Sequence, residues 1–130
     1  MKVSFDFDGT LEQEGVQEYA RELIIRGIDV HVTTTRYDEE NIHRYAGNIN
    51  HRDLYNVMNS LGLPLTKIKF TNMEWKHIYL AGTDFLWHLD DNIEEITRMT
   101  KSGDYRGICL VSPDWRKYCD LLIKRKMKSK

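Results

Sequence analysis

Two carboxylates with one residue between them stand at the head of the chain, in Asp6-Phe7-Asp8-Gly9-Thr10. A second acidic pair, Asp90-Asp91, lies far downstream, and between the two pairs runs Thr33-Thr34-Thr35-Arg36. Acids gathered at one point repel each other unless a cation or a shared proton offsets them. Hard oxygen donors without organised cysteine or histidine favour magnesium over zinc. Hydroxyls and a guanidinium donate well to phosphate oxygens. A carboxylate can attack phosphorus to give an aspartyl-phosphate. A second acid nearby can protonate the leaving oxygen and then activate water. A threonine would hold a phosphoryl oxygen, and a lysine would offset the developing charge.

These groups need elements that bring them together. Lys2-Val3-Ser4-Phe5 reads as a short strand that ends at the first acidic pair. Val16, Tyr19, Ala20, Leu23 and Ile24 share one helical face, closed by Gly27. Residues 28 to 32 form a second strand that runs into the threonines. Residues 37 to 50 are the longest insertion, with a helix start near Tyr37 to Asn41 and an end at Gly47-Asn48. Leu54, Val57, Met58 and Leu61 give the next helix, stopped by Gly62. Lys67 to Thr71 is a third strand, and Thr71 with Glu74 makes a capping box for a helix carrying Lys76, Tyr79 and Leu80. Asp84 to Leu89 is a fourth strand and ends at the second acidic pair. A helix from about Ile93 to Gly103 follows. Ile108 to Val111 is a fifth strand, after which Ser112 caps a last helix with Pro113 in its first turn.

Strand and helix alternate throughout. The pattern predicts a single α/β domain with a Rossmann-like, five-stranded parallel sheet and helices on both faces. In such sheets ligands bind at the carboxyl ends of the strands, so the clusters converge at one edge.

The bulk properties agree with an ordinary globular domain. The chain has 130 residues, 41% hydrophobic and 30% charged, with a net charge of −1. That balance argues against a whole-surface nucleic-acid binder. The tail from Lys124 to Lys130 is basic and reads first as a solvated helix end, second as a contact for phosphate backbones. Cys109 and Cys119 read as small buried hydrophobes rather than a disulfide or a metal pair. His31 and His88 lie inside strands and read as packed or hydrogen-bonded. With no long apolar span and no leader pattern, a cytoplasmic protein is expected, with no membrane partner.

The chain resembles the haloacid dehalogenase-like hydrolase superfamily, in particular its aspartate-nucleophile phosphatases. The resemblance rests on residues 6–10 as the first motif, residues 30–36 as the second, Lys76 as the third and residues 89–92 as the fourth. It spans residue 2 to about residue 111. It implies that Asp6 is the nucleophile and a magnesium ligand. It implies that Asp8 is the general acid and base and gives its carbonyl to the metal. Thr34 becomes the phosphate-binding hydroxyl, with Thr35 and Arg36 beside it, and Lys76 the charge-offsetting lysine, with Lys67 and Lys69 as rivals. Asp90 is the remaining metal ligand, with Asp91 as its partner. An acid at position 8 favours a phosphatase over a dehalogenase. The family's sheet, with strand one in the middle and strand four beside it, brings the acidic pairs together.

The chain has no room for the family's cap domains after the first motif or after the third strand. The expected activity is a magnesium-dependent phosphomonoesterase, open to bulky substrates or closed by a partner subunit. A phosphorylated nucleic-acid end, a nucleotide and a sugar phosphate are all admitted. The competing readings are an idle binding protein on the same scaffold and a receiver domain. The receiver is disfavoured because the third strand ends in Phe70-Thr71-Asn72, with no acid.

Overall fold

A computed structural model describes residues 1–47 and 49–129. Among these residues five strands form one sheet: β1 (Lys2–Phe5), β2 (Asp29–Thr34), β3 (Ile68–Phe70), β4 (His88–Asp90) and β5 (Gly107–Cys109). All pair in parallel, in the order β3-β2-β1-β4-β5. The chain builds outward from β1 through β2 to β3, then returns to the other side of β1. The order therefore reverses between β1 and β4, and that crevice is where a doubly wound sheet binds its ligands. The ends of β1 and β4 carry Asp6 and Asp90.

Among the described residues six α-helices flank the sheet: α1 (Glu14–Ile25), α2 (Glu39–Tyr45), α3 (Arg52–Leu61), α4 (Lys76–Leu80), α5 (Ile93–Lys101) and α6 (Trp115–Lys128). The two faces of the sheet differ in character. On one, Val3, Phe5, Val30, Val32, Leu89 and Ile108 join the buried sides of α1, α3 and α6 in a single apolar core. Trp87 anchors it, edge-on to Phe5 and stacked on Tyr19. The opposite face carries Ser4, Thr33 and His88, buried yet polar. Here α5 packs close to β5: a Cβ on Gly107 would lie 3.0 Å from Ile96 Cδ1 and from Met99 Sδ.

The expected helix faces are found, but several boundaries move for identifiable reasons. Residues 84–87 are irregular rather than strand. The Arg106 guanidinium donates to the carbonyls of Leu80, Thr83 and Phe85 at 2.8–2.9 Å, taking up acceptors on the approach to β4. β5 also ends at Cys109, before the expected Val111. The Thr71–Glu74 capping box does not form. The Thr71 hydroxyl donates to the Glu74 carbonyl instead. Asn72 and Met73 then take left-handed φ of 54° and 68°, so helix cannot start there. Nor does Ser112 cap α6, which begins at Trp115 after a turn in which Trp115 N–H reaches Ser112 O.

The insertion after Arg36 does contain a helix, α2, capped by the Asp38 carboxylate on Asn41 N–H. Its expected end at Gly47-Asn48 falls partly on residue 48, outside the described residues, as does Lys130 of the basic tail. Cys119 is buried and Cys109 partly so, and both are free thiols. No helix among the described residues is long and apolar enough to cross a membrane.

Leu89 sits at the centre of the core, fully buried between β1 and β5. Leu89→Ala is expected to cost about 2–5 kcal/mol. It should lower the urea midpoint with an unchanged denaturant slope.

Candidate active site

β1 and β4 each release their chain at the switch point with an acid. Asp6 follows Phe5 directly, and its N–H donates to Leu89 O at 2.9 Å, which ties the first acid to β4. The chain then turns sharply at Gly9, where φ is +79°. A Cβ at that position would lie 2.3 Å from Asp91 Oδ2. Only glycine satisfies both constraints, so Gly9 sets how closely Asp91 approaches the first motif.

Carboxylate oxygens of Asp6, Asp90 and Asp91 lie within 4.8 Å of one another. Asp6 and Asp90 are buried. Between them reaches Lys76, from the first residue of α4, with Nζ 2.8 Å from Asp6 Oδ1 and 2.7 Å from Asp90 Oδ2. The rival lysines are elsewhere. Lys67 pairs with Asp29 at 2.9 Å, and Lys69 lies over the Tyr79 ring.

The neighbours treat the two buried acids differently. Asp90 is surrounded by donors: Lys76, His88 Nε2 at 2.8 Å and the Asn92 N–H at 3.0 Å. Burial works against its charge, but the His88 and Lys76 bonds outweigh it and hold Asp90 down at about 2. Asp6 is pushed up to about 8, first by burial and then by the Asp90 charge, against the pull of Lys76. For Lys76 itself the attraction of both acids overcomes burial and raises its pKa. One ammonium thus serves two buried carboxylates with a third beside them, and the cluster is short of positive charge. The donor set is all oxygen, which fits a hard divalent cation.

Support for the cluster comes from residues given no chemical role in the sequence analysis. The Thr10 hydroxyl donates to Asp6 Oδ2 at 3.0 Å and accepts from the Asp91 N–H at 3.1 Å, stitching the two motifs together. His88 Nδ1 lies 2.9 Å from Ser4 Oγ, which lies 2.7 Å from Thr33 Oγ1. Asp90 can only accept, so His88 Nε2 carries a proton. Thr33, Ser4 and His88 thereby form a hydrogen-bonded file that ends on Asp90. Glu95, buried on α5, accepts from the N–H of Lys76 at 2.5 Å and of His77 at 3.3 Å. It caps α4 from outside and fixes the helix that carries Lys76. Alternation along β1 and β4 places Ser4 and His88 on the polar face, but nothing in the local sequence marks Glu95.

Asp8 and Arg36 occupy a second layer. The Arg36 fork donates to both Asp8 oxygens, at 3.0 and 2.6 Å, and to both Asp53 oxygens, at 2.8 and 2.7 Å. Arg36 is raised in pKa, chiefly by Asp53, and holds Asp53 down at about 2. Asp8 is therefore paired with Arg36 and grouped with the exposed acids Glu12 and Asp53, not with the buried cluster. Thr34, buried at the end of β2, accepts from the Arg36 N–H at 3.3 Å. Thr35 gives its carbonyl to the Met73 N–H at 2.6 Å. Neither side chain is hydrogen-bonded to an acid among the described residues.

No family model, curated protein or solved structure matches the chain.

Two tests follow from this geometry. Gly9→Ala and Gly27→Ala share a positive φ near 80°, but only Gly9 faces Asp91. The φ change should cost each about 1–2 kcal/mol. Gly9→Ala should lose measurably more in thermal melts, and the excess reports displacement of Asp91. For pH, the Asp6 pKa is raised above its unfolded value. Its stabilising contribution is complete below about pH 3.8 and is lost as pH rises toward about 8. In metal-free buffer, Asp6→Asn should thus melt higher than wild type at pH 9, with the gap closing toward pH 4.

Proposed function

We propose that the protein is a magnesium-dependent phosphomonoester hydrolase of the haloacid dehalogenase-like type, without a cap domain. The observation that carries this reading is the buried Asp6–Lys76–Asp90 cluster at the switch point, with Asp91 alongside. It joins the first, third and fourth motifs in one hydrogen-bonded unit. Only Glu12 and Gln13 separate the turn after Asp6 from α1, a short connection that supports the reading without a cap.

Asp6, Asp90 and Asp91 would hold the magnesium ion. When bound, the ion supplies positive charge that keeps Asp6 ionised and draws in a phosphate oxygen. An Asp6 carboxylate oxygen attacks phosphorus, and the bond to the leaving oxygen breaks. Asp8, which takes up a proton from solvent once phosphate displaces it from Arg36, gives that proton to the leaving oxygen. Lys76 offsets the charge developing on the phosphoryl oxygens. Asp8, now a carboxylate, takes a proton from water. The resulting hydroxide attacks phosphorus, the bond to Asp6 breaks, and inorganic phosphate leaves. Arg36 positions Asp8 before substrate arrives. An incoming phosphate competes for the same N–H donors and frees the Asp8 carboxyl for proton transfer.

The test is phosphate release from p-nitrophenyl phosphate and a panel of natural phosphomonoesters, with and without magnesium. Release should require magnesium and fall by several orders of magnitude in Asp6→Asn and Lys76→Met. Asp90→Asn should need a higher magnesium concentration for half-maximal rate. Release that persists in Asp6→Asn would remove the aspartyl-phosphate mechanism.

A further inference from the structure

The insertion after Arg36 builds a cavity of about 800 Å³. That is within the size range of small-molecule sites. Tyr37, Ile42, Tyr45 and Met73 make its apolar wall, and Arg52 and Asn56 add polar atoms. Tyr45 and Met73 are 60% and 64% exposed, a large apolar area to leave in water unless something covers it. The Tyr37 and Tyr45 rings stack on each other at 5.3 Å, presenting a pre-formed aromatic platform.

The cavity is tied to the site at two points. Arg36 lines it and also grips Asp8. Met73 lines it from the loop that leads into Lys76, and that loop is held in an unusual conformation. Asn72 and Met73 are consecutive non-glycine residues with left-handed φ. Such strain persists only where surrounding contacts over-determine it. Here Asn72 accepts from the Asp38 N–H at 2.9 Å and donates to the Asp38 carboxylate at 3.1 Å, locking the loop to the cap of α2. The aromatic wall and Lys76 are therefore held in one frame.

We propose that this cavity receives the base of a nucleoside monophosphate whose phosphate lies at the acidic cluster. The proposal rests on the phosphatase reading for the phosphate and on the cavity for the base. A flat ring suits the tyrosine platform, and base–aromatic stacking is tolerant of which base it is. The Asn56 amide, with a donor and an acceptor side by side, matches the mixed edge of a heterocycle rather than a plain aryl ring. Arg52 and Arg36, the latter shared with Asp8 and Asp53, line the cavity and can donate N–H groups to the phosphate end.

Calorimetric binding of adenosine to the full chain tests the base site without any turnover, with ribose as the probe that lacks a base. Adenosine should bind at least about tenfold more tightly than ribose. Tyr45→Ala and Met73→Ser, both at exposed positions, should each erase most of that difference without lowering the melting temperature. Adenosine binding no tighter than ribose, or unchanged in both variants, overturns the proposal. Tighter binding of phenol than of adenosine also overturns it, in favour of an aryl phosphate. Phosphate release from adenosine monophosphate is scored separately. Base-dependent binding with no release removes the phosphatase reading and leaves the base site standing. Release from glycerol phosphate as fast as from adenosine monophosphate, with no adenosine binding, does the reverse.

Discussion

A single ammonium group shared by two buried carboxylates governs this molecule. Lys76 Nζ lies within 2.8 Å of both Asp6 and Asp90, and all three are nearly inaccessible. Burying charges is costly unless they are paired and hydrogen-bonded. The pairing here is incomplete, because one positive charge faces two negative ones with Asp91 close by. The imbalance falls on Asp6, whose affinity for a proton rises, while Asp90 is kept ionised by His88 and Lys76. Two chemically identical side chains are thereby given different characters by their surroundings. On the proposed reading, the deficit is what a divalent cation fills.

Much of the remaining architecture serves to hold that arrangement. The sheet reverses its order between β1 and β4, so acids far apart in sequence leave adjacent strands. Gly9 lets Asp91 approach the turn after Asp6, and Thr10 bonds to both motifs. Glu95 caps α4 and so fixes where Lys76 begins its reach. The polar file Thr33–Ser4–His88 runs through the sheet face opposite the apolar core and ends at Asp90. The apolar side supplies the cohesion, and the polar side supplies the geometry.

The parallel α/β architecture was legible because the longer helices carried a 3.6-residue apolar face and each strand a short hydrophobic run. The acidic pairs were legible because their spacing placed them at strand ends. Two of the boundaries that moved did so through contacts distant in sequence. Arg106 takes the carbonyls before β4, and the Asp38–Asn72 clamp holds a left-handed break where a capping box was expected. Glu95 was invisible for the same reason, since on its own helix it is one of two acids in the first turn. Arg36 was read as an anion ligand, and only the folded chain shows its fork spanning Asp8 and Asp53.

The most direct test of the account is calorimetric titration of magnesium into the metal-free protein at pH 7, repeated in buffers of different ionisation enthalpy. If the ion replaces the proton that burial and Asp90 hold on Asp6, binding must release close to one proton. That release must vanish in Asp6→Asn. Magnesium binding without proton release, or no magnesium binding at millimolar concentration, would contradict the claim that this cluster is a cation site short of charge.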